Sequence, residues 1–325
     1  MQMRSFGSLG EVSALTLGGG GIGQVWGSTT RSECVASVRE AADAGITFLD
    51  VAPSYGNGEA ESVIGEAFSG QLPPGLRVST KCRVGNPAPE DVLPLLESSL
   101  AESLSRMKLE SVDLFILHGM LAPDDSEDDG RGTRRSLFTD AVRPAFEQLM
   151  RKGKIGAWGI TGIGEPEMIL KAIGDGSAPA AVQAVANLLD SPGAMGRFDG
   201  PAHPREIIAA AKERGIGVMG IRAVQAGALT DGFDREIPED HADMQDYRRS
   251  EKFRGLARAT GESPASLAHR YSLSMDGVST VVLGVKNRAE LHECLEAEAK
   301  GPLSQDMIGR IDEAVGGQFG VERQR

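Results

Sequence analysis

Short apolar runs recur along the chain, separated by longer stretches in which apolar residues return every three or four positions. The runs at 47–51, 77–81 and 112–118 read as buried strands bounded by turn or helix signals, and five more follow the same pattern at 14–17, 157–160, 181–185, 217–221 and 280–283. Helical periodicity predicts helices over 32–43, 59–68, 90–107, 139–152, 165–173 and 204–214, then 247–259 with 264–273. The boundaries carry matching signals: a capping box at Thr30-Arg-Ser-Glu33, Ser263 before Pro264, and Gly45 closing the first helix. Strict strand and helix alternation predicts a parallel sheet with helices outside, and eight units predict closure into a (β/α)8 TIM barrel, an α/β fold, as one domain over 1–325. The segment 3–12, centred on Gly7-Ser8-Leu9-Gly10, fits a hairpin, and 289–298 and 305–315 fit extra C-terminal helices. Two long loops, 119–137 and about 222–246, would stand over the rim where barrel enzymes build specificity.

Asp50, Tyr55, Lys81 and His118 each sit at or just past the end of one of three successive runs. Parallel strands put those ends on one rim, so the four groups converge on one pocket. A tyrosine has a reference pKa of about 10 and needs help to exchange protons quickly at neutral pH. A neighbouring ammonium favours the phenolate, and a carboxylate keeps that ammonium charged and oriented. Moving the phenol from about 10 to about 7 takes roughly 4 kcal/mol. A histidine beside the phenol donates to a substrate oxygen or relays the proton. The set suits proton exchange at a carbonyl or alcohol oxygen while a hydride moves at the adjacent carbon. None of the four donates a hydride, so a nicotinamide cofactor is expected on the same rim.

Asp50-Val-Ala-Pro-Ser-Tyr55-Gly-Asn-Gly-Glu-Ala-Glu, followed by Thr80-Lys81 and Leu117-His118, resembles the aldo-keto reductase family. The resemblance implies a catalytic tetrad of Asp50, Tyr55, Lys81 and His118, with Tyr55 as general acid or base, and a hairpin across the barrel floor. It also implies NADP(H), with NAD(H) as the other option. By the same likeness Gly20 lies beside the nicotinamide and Trp26, Tyr55 and His118 form the substrate wall. Thr161, Gly162 and Gln183 stand where the carboxamide is gripped, and Gly284, Lys286 and Arg288 where the adenosine phosphate is held, a role that a helix N-terminus with basic side chains suits. After the seventh strand the family's stacking aromatic is missing, the chain reading Ile221-Arg222-Ala223-Val224; Arg222 is then placed on the cofactor phosphates, while Gly227 and Leu229 match the next positions of the family pattern. Cys294 replaces the asparagine that meets the adenine. Gly-Ile-Thr161-Gly162 is similar to a sugar-dehydrogenase branch, which points to aldose oxidation and an NAD-dependent alternative.

Gly18-Gly-Gly-Gly-Ile-Gly23 also satisfies the G-x-G-x-x-G pattern of a doubly wound dehydrogenase. That fold needs the glycines to run directly into a helix, and here Gln24-Val-Trp-Gly-Ser-Thr-Thr intervenes. It also leaves Tyr55, Lys81 and His118 unexplained. A rival of another class is a cofactor-binding regulatory subunit with little turnover, resembling channel-associated members of the family.

Composition narrows the picture further. Hydrophobic residues at 40% and charged residues at 25% describe an ordinary globular chain, and a net charge of −12 argues against nucleic-acid binding. Cys34, Cys82 and Cys294 are scattered without a CxxC, so neither a disulfide framework nor a zinc site is expected, and Cys82 should face away from Lys81. No stretch reaches membrane-spanning length, and a cytoplasmic protein acting on a small carbonyl or sugar is expected. The acidic run Asp124-Asp-Ser-Glu-Asp-Asp-Gly130 hints at a calcium loop, but counting from Asp125 its twelfth place is Ser136 rather than glutamate, so no metal is expected.

Overall fold

The computed structural model describes residues 1–126, 132–233 and 236–316. In chain order the strands are β1 (Met3–Ser5), β2 (Glu11–Ser13), β3 (Leu15–Gly18), β4 (Phe48–Asp50), β5 (Arg77–Cys82), β6 (Val112–Leu117), β7 (Met120–Ala122), β8 (Gly132–Arg134), β9 (Ile155–Thr161), β10 (Ala181–Val185), β11 (Gly217–Ile221) and β12 (Thr280–Leu283). Strands β3, β4, β5, β6, β9, β10, β11 and β12 pair in parallel in that order and close into a barrel, as the alternation predicts. Helices follow most strands and cover the outside.

Side-chain alternation along each strand separates two cores. Outward residues such as Leu49, Phe115 and Leu117 pack against the helices, while Phe48, Leu114, Ile116, Ala157, Ala181 and Met219 fill the barrel interior. The floor comes from the antiparallel pair β1–β2, whose turn inserts Phe6 edge-on against Phe48 with ring centroids 5.7 Å apart. Gly217 is needed beneath it, because a Cβ there would fall 2.3 Å from the Phe6 ring. Nearer the mouth the inward positions turn polar: Thr16 and Thr280 share a hydrogen bond of 2.8 Å, and Ser79, Lys81 and Gln183 continue the layer. Cys82 faces the outer core, opposite Lys81, as expected.

Three expectations change. The helix predicted over 247–259 is two, Ala242–Arg249 and Glu251–Ala259, broken at Ser250, whose buried hydroxyl donates to the carbonyls of Ala228 and Tyr247. The loop predicted over 119–137 contains the short parallel pair β7–β8, while residues 127–131, with most of the acidic run, lie outside the described set. Residues 234 and 235 of the second long loop do too. The capping box is half formed: Thr30 caps the amide of Glu33, but the Glu33 carboxylate is taken by Arg288. A second apolar cluster, including Leu188, Leu229, Phe253, Leu267 and Tyr271, seats the helices that follow β11. Among the described residues no helix is long and apolar enough to cross a membrane.

Outside β5, Thr80 donates to the fully buried Glu61 of helix Glu59–Phe68 at 2.5 Å, and Arg106 Nε donates to the same carboxylate at 2.6 Å. The clamp ties β5 to two outer helices at the residue before Lys81. Replacing Glu61 by alanine strands the Arg106 charge and the Thr80 hydroxyl. We expect a loss of about 3 kcal/mol, the low end for a broken buried pair because Arg106 is partly exposed. Urea unfolding of Glu61→Ala against the parent checks this.

Candidate active site

The end of β4 turns the Asp50 carboxylate into the barrel mouth, where three donors meet it. Ser79 Oγ reaches Oδ1 at 2.6 Å, while Lys81 Nζ and Gln183 Nε2 each reach Oδ2 at 2.9 Å. Lys81, fully buried, also donates to the Val51 carbonyl at 2.8 Å, and its ammonium stands 4.7 Å from the centroid of the Tyr55 ring. Tyr55 in turn meets His118 edge-on at 5.7 Å between centroids. The four predicted residues therefore stand in one place. Gly19 makes room for the phenol, since a Cβ on it would fall 2.9 Å from Tyr55 Cδ2.

The electrostatics differ from the expectation in one respect. Burial pushes the Tyr55 phenol above its ordinary pKa, with Asp50 adding to the shift, and the opposing pull of Lys81 and Arg83 does not overcome it. Burial works to lower the Lys81 pKa, but Asp50 and Tyr55 outweigh it and the net shift is upward. The resting pair is a neutral phenol beside an ammonium, and not the phenolate that lysine alone would favour. Burial, with Lys81 and Arg83 nearby, drops the His118 pKa to about 3, so its imidazole is neutral across the physiological range.

Asp50, Tyr55 and His118, with Lys81 buried behind them, line one end of a cavity of about 480 Å³, large enough for a sizeable ligand. Gly18, Gly19, Gly20, Trp26 and Thr161 stand near the tetrad, and Ile221, Arg222, Val224 and Gly227 along one side. Gly284, Lys286, Glu290, Glu293 and Cys294 with Pro264, Ala265 and His269 form the outer end, between the end of β12, the helix Pro264–Ser274 before it and the helix Arg288–Ala299 after it. Three of the residues that the resemblance places on the cofactor are not in this wall. Gly162 is turned behind it with its amide bonded to Gln183, Leu229 is buried in the second core cluster, and Arg288 is bonded to Glu33. Arg222, expected on phosphates, lines the cavity while its guanidinium bonds to Asp243 at 2.6 Å and Gln225 at 2.7 Å. The sequence reading missed Met195, Thr230 and Asp231 on loops and Glu290 and Glu293 on a helix. The signal for the glutamates is their helical spacing from Lys286, at i+4 and i+7.

The cavity suits a nicotinamide dinucleotide on two observations. Thr161 Oγ1 is buried on its wall with no hydrogen-bond partner, an orphan that a ligand amide would satisfy, and the Gly18–Gly20 backbone offers a wall without side chains. A Cβ on Gly20 would strike Trp26 Nε1 at 2.3 Å. Two loops brace the cavity's side. Asp243 accepts from Arg222 and from the amide of Ala194 at 3.2 Å, and Asp246 accepts from Ser191 and Gln225, both at 2.6 Å. Among the described residues no cluster of three or more potential ligands could hold a metal.

The model of the Aldo/keto reductase family matches residues 14–315. Over 320 residues the chain is 27% identical to an L-galactose dehydrogenase of Arabidopsis thaliana, covering 96% of this chain and 93% of the relative. It is 24% identical over 315 residues to a D-threo-aldose 1-dehydrogenase of a Pseudomonas species, covering 89% and 90%. Among solved structures, an aldo-keto reductase of Bacillus halodurans in a holo form superposes with a TM-score of 0.73 at 21% identity over 100% of both chains. A glycerol dehydrogenase of Gluconobacter oxydans gives 0.73 at 21%, covering 96% of this chain and 94% of that one. At these identities the two structures speak to the fold.

The low His118 pKa has a measurable sign. The unfolded imidazole takes its proton near pH 6.5 and the folded one near 3, so between those values the unfolded state binds more protons. This group's contribution to stability is therefore present above about pH 6.5 and is lost as pH falls below it. NMR titration of the histidine ring protons should show the His118 signals flat from pH 8 to 5; a midpoint near 6.5 contradicts the assignment.

Proposed function

The chain belongs to the aldo-keto reductase family, and we propose that it catalyses hydride transfer between a nicotinamide dinucleotide and the carbon of an aldehyde, ketone, alcohol or aldose. Membership makes it an oxidoreductase; the finer assignment is to residues. The observation that carries it is the buried Lys81–Asp50 pair at 2.9 Å with the Tyr55 ring lying over the ammonium. When bound, the nicotinamide supplies or accepts the hydride, and the protein handles the proton and the oxygen.

In the reduction direction Tyr55 is a phenol ready to give its proton to the carbonyl oxygen, and the departing proton leaves a phenolate that Lys81 stabilises at short range. Asp50 holds Lys81 in place and offsets its buried charge, while Ser79 and Gln183 fix the carboxylate so that it does not follow the phenol's charge. Neutral His118 can present one N–H to the substrate oxygen without bringing a second cation to the site. In the oxidation direction the same phenol must first lose its proton, which the raised pKa defers to alkaline solution.

Thr161 and Gln183 would hold the carboxamide of the nicotinamide and Gly20 would abut its ring; Trp26, with Tyr55 and His118, would bound the substrate. Whether the dinucleotide is NADP(H) or NAD(H) turns on the charges at the cavity's outer end. For the substrate, a polyhydroxylated aldose fits a site built around one proton-exchanging phenol and a neutral hydrogen-bonding imidazole, and relatives named as L-galactose and D-threo-aldose dehydrogenases support that choice.

Two outcomes are expected. Tyr55→Phe should lower kcat on an aldehyde and aldose panel by about 10²–10⁴ while dinucleotide binding and the thermal midpoint stay near the parent's; unchanged turnover refutes the role of Tyr55, and negligible turnover by the parent with tight dinucleotide binding favours the regulatory reading. Aldose oxidation by the parent should climb as pH rises through the alkaline range while carbonyl reduction persists through neutrality; a flat oxidation profile speaks against a raised Tyr55 pKa.

A further inference from the structure

We infer that the cavity takes NAD(H) in preference to NADP(H), and that Glu290 is the residue that selects. The inference rests on the hydride-transfer reading above and deepens it. With the nicotinamide beside Tyr55 at the barrel mouth, the other nucleoside must lie at the cavity's outer end, where β12 gives way to the helix Arg288–Ala299. The basic side chains that suggested a phosphate site are spoken for there. Lys286 Nζ pairs with Glu290 Oε1, and the Lys286 amide donates to Glu290 Oε2 at 3.0 Å. Arg288 points out of the cavity, its Nε and Nη2 donating to the Glu33 carboxylate at 3.1 and 3.0 Å.

What faces the ligand at that end is two carboxylates, Glu290 and Glu293, against the single ammonium of Lys286. The remaining wall, Pro264, Ala265, His269 and Cys294, is uncharged or only weakly basic, with Cys294 Sγ 3.7 Å from His269 Nε2. A 2′-phosphate brings a charge of about −1.5 to −2 at pH 7 and would be set against both glutamates after breaking the Lys286–Glu290 pair. A ribose 2′-hydroxyl meets the opposite situation, since it donates to the Glu290 carboxylate, the arrangement by which a carboxylate recognises an unphosphorylated ribose and a basic residue recognises the phosphate. Glu290 is held to present itself: its amide is capped by Asn287 Oδ1 at 2.9 Å, and its carboxylate is tied back to the Lys286 backbone. Glu293 is fixed by the Ser263 hydroxyl.

Isothermal titration of the full chain with NADH and NADPH, without substrate, tests this independently of turnover. NADH should bind about tenfold or more tightly than NADPH, tenfold corresponding to a like-charge clash of about 1.4 kcal/mol at the outer end. Glu290→Gln should narrow that ratio, mainly by tightening NADPH, and Glu290→Arg should narrow it further or reverse it, with circular dichroism verifying the fold of each variant. Equal or tighter NADPH binding by the parent overturns the inference and leaves the hydride-transfer reading standing. An unchanged ratio in folded Glu290→Gln removes Glu290 as the selector. Binding of neither nucleotide overturns both readings.

Discussion

An ammonium buried without exposure inside the barrel is the constraint around which the rest is arranged. Desolvating a lysine is expensive unless a counter-charge and hydrogen bonds receive it, and removal of one partner leaves an uncompensated charge. Lys81 is received by Asp50 and by the Val51 carbonyl, and Asp50 by Ser79 and Gln183, so β4, β5 and β10 all contribute to one buried polar layer. The alternation of the strands makes this affordable. Residues one position away, such as Thr80, face outward, where Glu61 and Arg106 hold β5 from the other side. Reactive and supporting contacts thus occupy opposite faces of the same short strand.

The same burial shapes the chemistry. A cation next to a phenol ordinarily pulls its pKa down, yet here desolvation of the phenol and the carboxylate behind the lysine prevail. The outcome is an acid in its protonated form with a stabiliser for its conjugate base already in position. Histidine is treated likewise: surrounded by positive charge and apolar wall, it is kept neutral and can act as a donor to oxygen without competing for the proton.

Much of this was legible in the chain. Eight strands appear because apolar runs of four to seven residues leave little ambiguity, and Asp50, Tyr55, Lys81 and His118 could be grouped because parallel strands of one barrel end on one rim. What could not be read was set by contacts between distant segments. The break at Ser250 depends on the Ala228 carbonyl, which local helix preference does not register. Arg288 has the local pattern of a phosphate ligand, but Glu33, far upstream, accepts from its guanidinium. Leu229 matched a pattern of cofactor contacts but is core, since the helices after β11 need an apolar seat. Charges near a helix start advertise an anion site only when their partners are known, and sequence spacing alone did not weigh Glu290 and Glu293 against Lys286.

The hairpin beneath the barrel has a bearing on traffic. With Phe6 wedged under the strands and Gly217 moulded to it, the barrel is stoppered at its base, and the cavity lies at the other end, among the C-terminal ends of the strands. A ligand of the tetrad therefore has the rim of strand ends, and not the floor, as its way in.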